Sequence, residues 1–313
     1  MYIFNLATPD RDGALENDII IHEIGHGLSN RLTGGPANSN CLSTTASGGL
    51  GEGWSDVLGY IMALPATFTR ANDYSMGFWA LNRPGGVRKY LYSTSLTTNK
   101  RMFSDLATLN EVHDIGEVWA ESLYEVMWNM IDNAGFTPPA DIGKSVDAGT
   151  GNTALLKILI AAMKIQPCNP SFLQARDAII TAEKSLYNGK FACDIWKGFA
   201  KRGAGSGATS SFTNNFALPA QCQDVQTSTT TSTTVAVPTS TVVRTSTTGG
   251  PVTSKTTTTT TTKVVPTTTA AGGGTSAGAP CTTYGAWACS NSLVCSYGGS
   301  GLVWIQVGGT SSC

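Results

Sequence analysis

A chain of 313 residues with a formal net charge of −1 and only 13% charged residues carries no concentrated basic face, which excludes nucleic acid and an acidic membrane surface as partners. Its apolar runs, such as 154–163, are short and contain a charge, so no membrane span is predicted. The 8 cysteines split evenly about a low-complexity stretch and include no C-x-x-C metal knuckle, which predicts disulfides and an oxidising, extracellular setting.

In chain order, the opening "MYIFNLATPDRDG" lacks the charged, apolar and small-residue regions of a signal peptide. Asp10, Asp12 and Asp18 suit either the N-terminus of the helix that follows or a calcium ion, and the sequence leaves both readings open. Leu15 to Asn30 has apolar Ile19, Ile20, Ile21 and Ile24, no proline and Gly/Asn punctuation after it, so it reads as a buried helix. On that helix His22 and His26 are four apart and project from one face, at a separation that suits two ligands on one tetrahedral zinc. Glu23 sits beside them as the candidate general base, giving the H-E-x-x-H arrangement in which a glutamate takes a proton from zinc-activated water.

A third ligand is the context that such a motif requires. The nearest candidate is Glu52 in "GGLGEGWSDVLGYIMAL", which opens a second helical pattern. A distant glutamate makes the arrangement that of a gluzincin, because "GLSNRLTGGP" after His26 supplies no third histidine for the alternative metzincin spacing. Asp56, one turn beyond Glu52 on the same face, reads as a carboxylate accepting the free ring N–H of a zinc histidine, with a solvated surface charge as the competing reading. His113 is the one histidine left. It suits the stabilisation of a developing oxyanion, and a structural histidine fits its sequence equally well. Asp105 and Asp114 are both candidates to orient it.

From 223 to 280 the chain is almost entirely Thr, Ser, Val, Pro, Gly and Ala, too poor in large apolar residues to repay the entropy of ordering. It reads as a disordered linker with the composition of an O-glycosylated stalk. This predicts a main domain over 1–222 and a cysteine-rich tail over 281–313, each with four cysteines and three possible pairings. The tail is too small for a self-sufficient core. Short alternating stretches bearing Tyr284, Trp287, Tyr297 and Trp304 predict a few strands, whose aromatics serve either as sugar-stacking platforms or as the minimal core.

The strings "HEIGHGLSNRLTGGP", "GGLGEGWSD", "VHDIGEVWAESLYEVMWN", "QPCNPSFLQARDAII" and "WKGFAKRG" together resemble the fungalysin family of secreted fungal metallopeptidases, relatives of thermolysin, over about residues 1 to 205. The resemblance implies endopeptidase activity on extracellular proteins, one zinc on His22, His26 and Glu52, Glu23 as catalytic base and His113 as transition-state stabiliser. It also implies a mainly α fold, with a helical lobe that takes in 114–134, 151–166, 171–188 and 191–202, where Val118, Leu123, Val126 and Met127 are core. Family members carry a signal peptide, a propeptide and a β-rich lobe ahead of the zinc helix, whereas 21 residues precede His22 here; all three are expected to be missing from this chain. The tail looks somewhat like small fungal chitin-binding modules, which implies chitin or another wall polysaccharide as a second partner. The expected function is a secreted zinc metalloendopeptidase acting on proteins or peptides; the alternative is a truncated, catalytically silent glycan-binding protein.

Overall fold

A computed structural model describes residues 3–5, 7–144, 149–223, 287–288, 293–298 and 301–306. A two-residue antiparallel pair, β1 (Ile3–Phe4) and β2 (Arg11–Asp12), leads into a 3-10 turn over Gly13–Leu15 and then into helices: α1 (Asn17–Leu32), α2 (Thr45–Ala63) and the short α3 (Phe78–Leu81). After a 3-10 turn at Phe103–Ala107 come α4 (Val112–Ala134), the short α5 (Pro139–Ile142), α6 (Gly151–Ile165), α7 (Phe172–Tyr187) and α8 (Ala192–Lys201). The described part of the tail is an antiparallel sheet in the order β3 (Trp287–Ala288), β4 (Leu293–Gly298), β5 (Gly301–Gln306), with Cys295 opposite Trp304. The fold is mainly α, as the sequence predicts. The linker expectation for 223–280 falls almost entirely outside the described residues, and so do the tail's aromatic side chains and its Cys281, Cys289 and Cys313.

Local chemistry sets the helix starts. Thr44 and Ser47 form a reciprocal capping box on α2, and Ser171 with Gln174 does the same on α7, each satisfying N–H groups that the first turn leaves unpaired. Glu111 caps α4 by accepting from the Asp114 N–H, and Gly135 at φ +81° ends it.

α4 is buried on nearly every side from Ile115 to Trp128, the pattern of a helix at the centre of its domain. Val118, Leu123, Val126 and Met127 are all buried in it. Trp54 of α2 packs edge-on against Trp119 of α4, with ring centroids 4.9 Å apart, and Phe172 of α7 closes on Trp119 at 4.7 Å. The crossing of α2 and α4 is tight enough to need glycine. A Cβ on Gly53 would come within 2.7 Å of Trp119, and one on Gly116 within 2.6 Å of the Glu52 Cβ.

α1 departs from the buried helix that its isoleucines suggest. Ile19 is buried, but Ile24 is 64% exposed. The helix rests on α2 through the face carrying Ile19, His22, Gly25 and Ser29, and Ile24 lies off that stripe because apolar character alone does not set which side is covered. Two disulfides, Cys41–Cys168 and Cys193–Cys222, choose one pairing of the three open to the first four cysteines. Among the described residues no helix is long and apolar enough to cross a membrane.

Candidate metal centre

His22 and His26 stand one turn apart on α1, and α2 crosses beneath them with Glu52 and Asp56, again one turn apart. His22 Nε2 lies 3.1 Å from His26 Nε2 and 3.2 Å from Glu52 Oε2, and His26 Nε2 lies 3.6 Å from Glu52 Oε1. Three donors bonded at 2.0–2.1 Å to a tetrahedral ion stand about 3.3 Å from one another, so these spacings fit a single small cation. Glu52 Oε2 is buried with the His22 and His113 imidazoles as its near partners, and a cation shared with His22 and His26 would satisfy it more fully. Among the described residues, this is the trio of His, Cys, Asp or Glu side chains arranged to share one ion.

The rest of the arrangement holds His22. Its Nδ1 is 2.7 Å from Asp56 Oδ1, which fixes the ring and aims Nε2 at the other donors. Asp56 is fully buried and also takes both arms of Arg88, at 2.6 and 2.7 Å, and the hydroxyl of Tyr92. Burial works to raise the Asp56 carboxyl, but the Arg88 guanidinium and the bonds from Arg88 and His22 hold it far below the usual carboxylate range. Burial likewise works to lower His22, yet its bonds to Asp56 and Glu52 carry it up to about 9. His26 goes down, through burial first and the neighbouring His22 charge among the lesser causes. His22 is therefore held as an imidazolium, with one N–H toward Asp56 and the other toward Glu52, and a cation bound at Nε2 would replace the second of these.

Glu23 is exposed and shares a pocket of about 160 Å³ with Phe4, Ile19, His22, Met76, Val87, Arg88 and His113. His113, half exposed at the start of α4, places Nε2 3.4 Å from Glu52 Oε2. Neither aspartate considered from the sequence orients it. Asp114 pairs with Arg101, and Asp105 accepts from the Met102 N–H. The partner is Glu111, whose Oε1 is 2.6 Å from His113 Nδ1 while its Oε2 caps the helix. Asp12 accepts from Ala14, and Asp18 accepts from Tyr74 and Gly77 on Oδ2.

Sequence reasoning missed Arg88, Tyr92 and Glu111. The first two lie in an irregular segment with no periodicity to place them, and their one signal is that a buried aspartate needs a cation. Glu111 lies two residues before His113, but which of the nearby acids reaches the ring is set by the start of α4.

Two histidines of one helix and a glutamate of the next thus meet around one point, a cluster that could hold a metal ion. Residues 1–208 match the fungalysin metallopeptidase family (M36), and the chain belongs to that family. It is 51% identical over 228 residues to extracellular metalloproteinase 4 of Arthroderma gypseum, covering 71% of this chain and 36% of the relative. It is 50% identical over 228 residues to the protein of the same name in Trichophyton rubrum, with the same coverage. Extracellular metalloproteinase MEP of Neosartorya fischeri is 51% identical over 216 residues, 68% of this chain and 34% of that protein. The chain thus spans about a third of the length of the curated relatives it matches.

Proposed function

We propose that this chain holds one zinc ion on His22, His26 and Glu52 and hydrolyses peptide bonds of extracellular proteins. The observation that carries the reading is the convergence of those three donors at mutual spacings of 3.1 to 3.6 Å, on the wall of a pocket that also contains Glu23 and His113. Two imidazoles and a carboxylate are the donor set of a catalytic rather than a structural zinc, leaving one position for a water. When bound there, zinc polarises the scissile carbonyl and lowers the pKa of that water.

The chain's own residues supply the rest. Glu23, exposed at the pocket edge, accepts the proton of the attacking water and passes it to the leaving amine. His113 is oriented by Glu111 on Nδ1, so Nε2, at the pocket beside Glu52, donates to the oxyanion that develops as the carbonyl is attacked. Asp56 keeps His22 in the tautomer that ligates through Nε2, and Arg88 neutralises Asp56 while presenting its guanidinium to the pocket. The apolar lining by Phe4, Ile19, Met76 and Val87 accepts an apolar side chain of the substrate. The relatives' printed names and two disulfides in the described residues support export from the cell.

The test is chelator-sensitive cleavage of a quenched protein substrate by the full chain and by Glu23→Gln. The reading expects the variant to keep its zinc and to lose turnover by a factor of about 10²–10⁴, the range of a general base. Zinc without any turnover in the unaltered chain rejects the peptidase reading and leaves the ligand assignment standing.

A further inference from the structure

Residues 88 to 101, which carry Arg88 and Tyr92 to Asp56, contain no helix, and their one strand-like contact is the bridge from Tyr92 to Tyr74. Their shape must therefore be held from outside. Along one face of α4 stand Glu117, Glu121 and Glu125, one turn apart and essentially inaccessible. Each accepts bonds from, or through, this segment. Glu117 takes the backbone N–H of Lys89 on one oxygen and Arg101 Nε, at 2.8 Å, on the other. Glu121 takes the backbone N–H of Ser93 at 3.2 Å. Glu125 takes Arg202 at 2.8 and 3.0 Å, and the fully buried Arg202 in turn donates to the Ser93 and Asn99 carbonyls at 2.6 and 2.7 Å.

The register of these bonds is informative. The ladder grips the N–H groups of residues 89 and 93, each immediately after a residue that binds Asp56, namely Arg88 and Tyr92. A four-residue step along the segment thus matches a four-residue step along α4. Stability alone does not call for such an arrangement. Buried ion pairs are commonly matched or bettered by apolar residues of the same volume, whereas acceptors aimed at particular backbone N–H groups specify one conformation of an otherwise irregular segment.

We infer that Glu117 and Glu121 are positioning residues for the metal centre: they fix the backbone at Lys89 and Ser93 so that Arg88 and Tyr92 lock Asp56, and through it His22, in the ligating geometry. Communication runs from α4 to the segment, to Asp56 and to His22 without α4 touching that histidine through these carboxylates. The inference rests on the reading of His22, His26 and Glu52 as metal ligands. It concerns how the site is held and not which reaction follows.

The experiment is a double-mutant cycle on zinc affinity, by competition with a chromogenic chelator, using the full chain, Glu117→Gln, Arg88→Lys and the pair. Loss of a partner behind a metal ligand typically weakens binding by about 10–100-fold. Glu117→Gln is expected to weaken zinc by about tenfold with little change in near-ultraviolet circular dichroism. In the Arg88→Lys background it should add less than about twofold, because the route it acts through is already broken. Multiplicative effects of the two changes, or an unaltered affinity in Glu117→Gln, overturn the inference. A second readout does not need the metal: the Arg88 Nε–H resonance, expected to be protected in the unaltered chain by its bond to Asp56, should exchange rapidly in Glu117→Gln, and a protected signal there also overturns it. If the glutamine variant does not fold, Glu117→Asp, which withdraws the carboxylate from Lys89 by one methylene, is carried through the same cycle. Failure of the unaltered chain to bind zinc would reject the metal reading, and the Arg88 signal would still decide the ladder.

Discussion

His22 sits between two carboxylates, Asp56 on Nδ1 and Glu52 on Nε2, and its protonation is tied to the stability of the fold. Burial opposes the imidazolium, but those two bonds raise it to about 9 from an ordinary value near 6.5. A histidine that binds its proton more tightly when folded contributes stability that is fully present below the unfolded pKa and is lost as pH rises through the folded one. Chelator-treated protein is therefore expected to melt at progressively lower temperature between pH 6.5 and 9, while zinc-saturated protein, whose His22 has exchanged its proton for the metal, keeps its melting temperature over that window. Parallel melts with and without chelator check this, and a chelated form with a flat profile contradicts it. At this scale the residues legible in the sequence are those on helices: the H-E-x-x-H motif named His22, Glu23 and His26 on α1, its need for a third ligand pointed to Glu52, and the four-residue step to Asp56 put both carboxylates on one face of α2. Arg88, Tyr92 and Glu111 were not legible, because which cation reaches a buried aspartate, and which of three nearby acids reaches a histidine, depend on tertiary geometry.

At the scale of elements, the centre depends on how closely α2 and α4 cross. Gly116 brings α4 against the Glu52 side of α2, and a methyl there would fall 2.6 Å from the Glu52 Cβ and 3.0 Å from the Gly53 nitrogen. Gly116→Ala is expected to destabilise the fold by about 1–3 kcal/mol, as overpacking in a well-filled interior does, and to weaken zinc binding by shifting Glu52. Denaturant melts together with metal titration check this; destabilisation with unaltered zinc affinity would show that Glu52 does not depend on the crossing. The helices of the lobe were legible through the family resemblance, and α4 also through its periodic apolar residues Val118, Leu123, Val126 and Met127. The exposure of Ile24 was not, because a run of isoleucines is consistent with several faces and the partner helix selects one.

For the molecule as a whole, the disulfide between Cys41 and Cys168 joins the loop ahead of α2 to the turn ahead of α7, across 127 residues of sequence. Closing so long a loop restricts the unfolded chain strongly, and its removal is expected to cost about 2–5 kcal/mol. Thermal melts of a Cys41→Ser, Cys168→Ser double variant check the figure; an unchanged melting temperature contradicts it. The pairing was beyond sequence reasoning, which allows three connectivities for four cysteines, whereas the even count and the mainly helical class were within it. The family was legible for a different reason: several long motifs in fixed order are hard to assemble by accident.

The proposed activity depends on three side chains sharing one ion. Its most direct test is the zinc stoichiometry of the full chain after exhaustive dialysis, beside His26→Ala and Glu52→Gln. One zinc per chain, removed by chelator and lost from both variants, is the predicted result. A chain that takes up no zinc, or variants that retain it, would contradict the assignment of His22, His26 and Glu52.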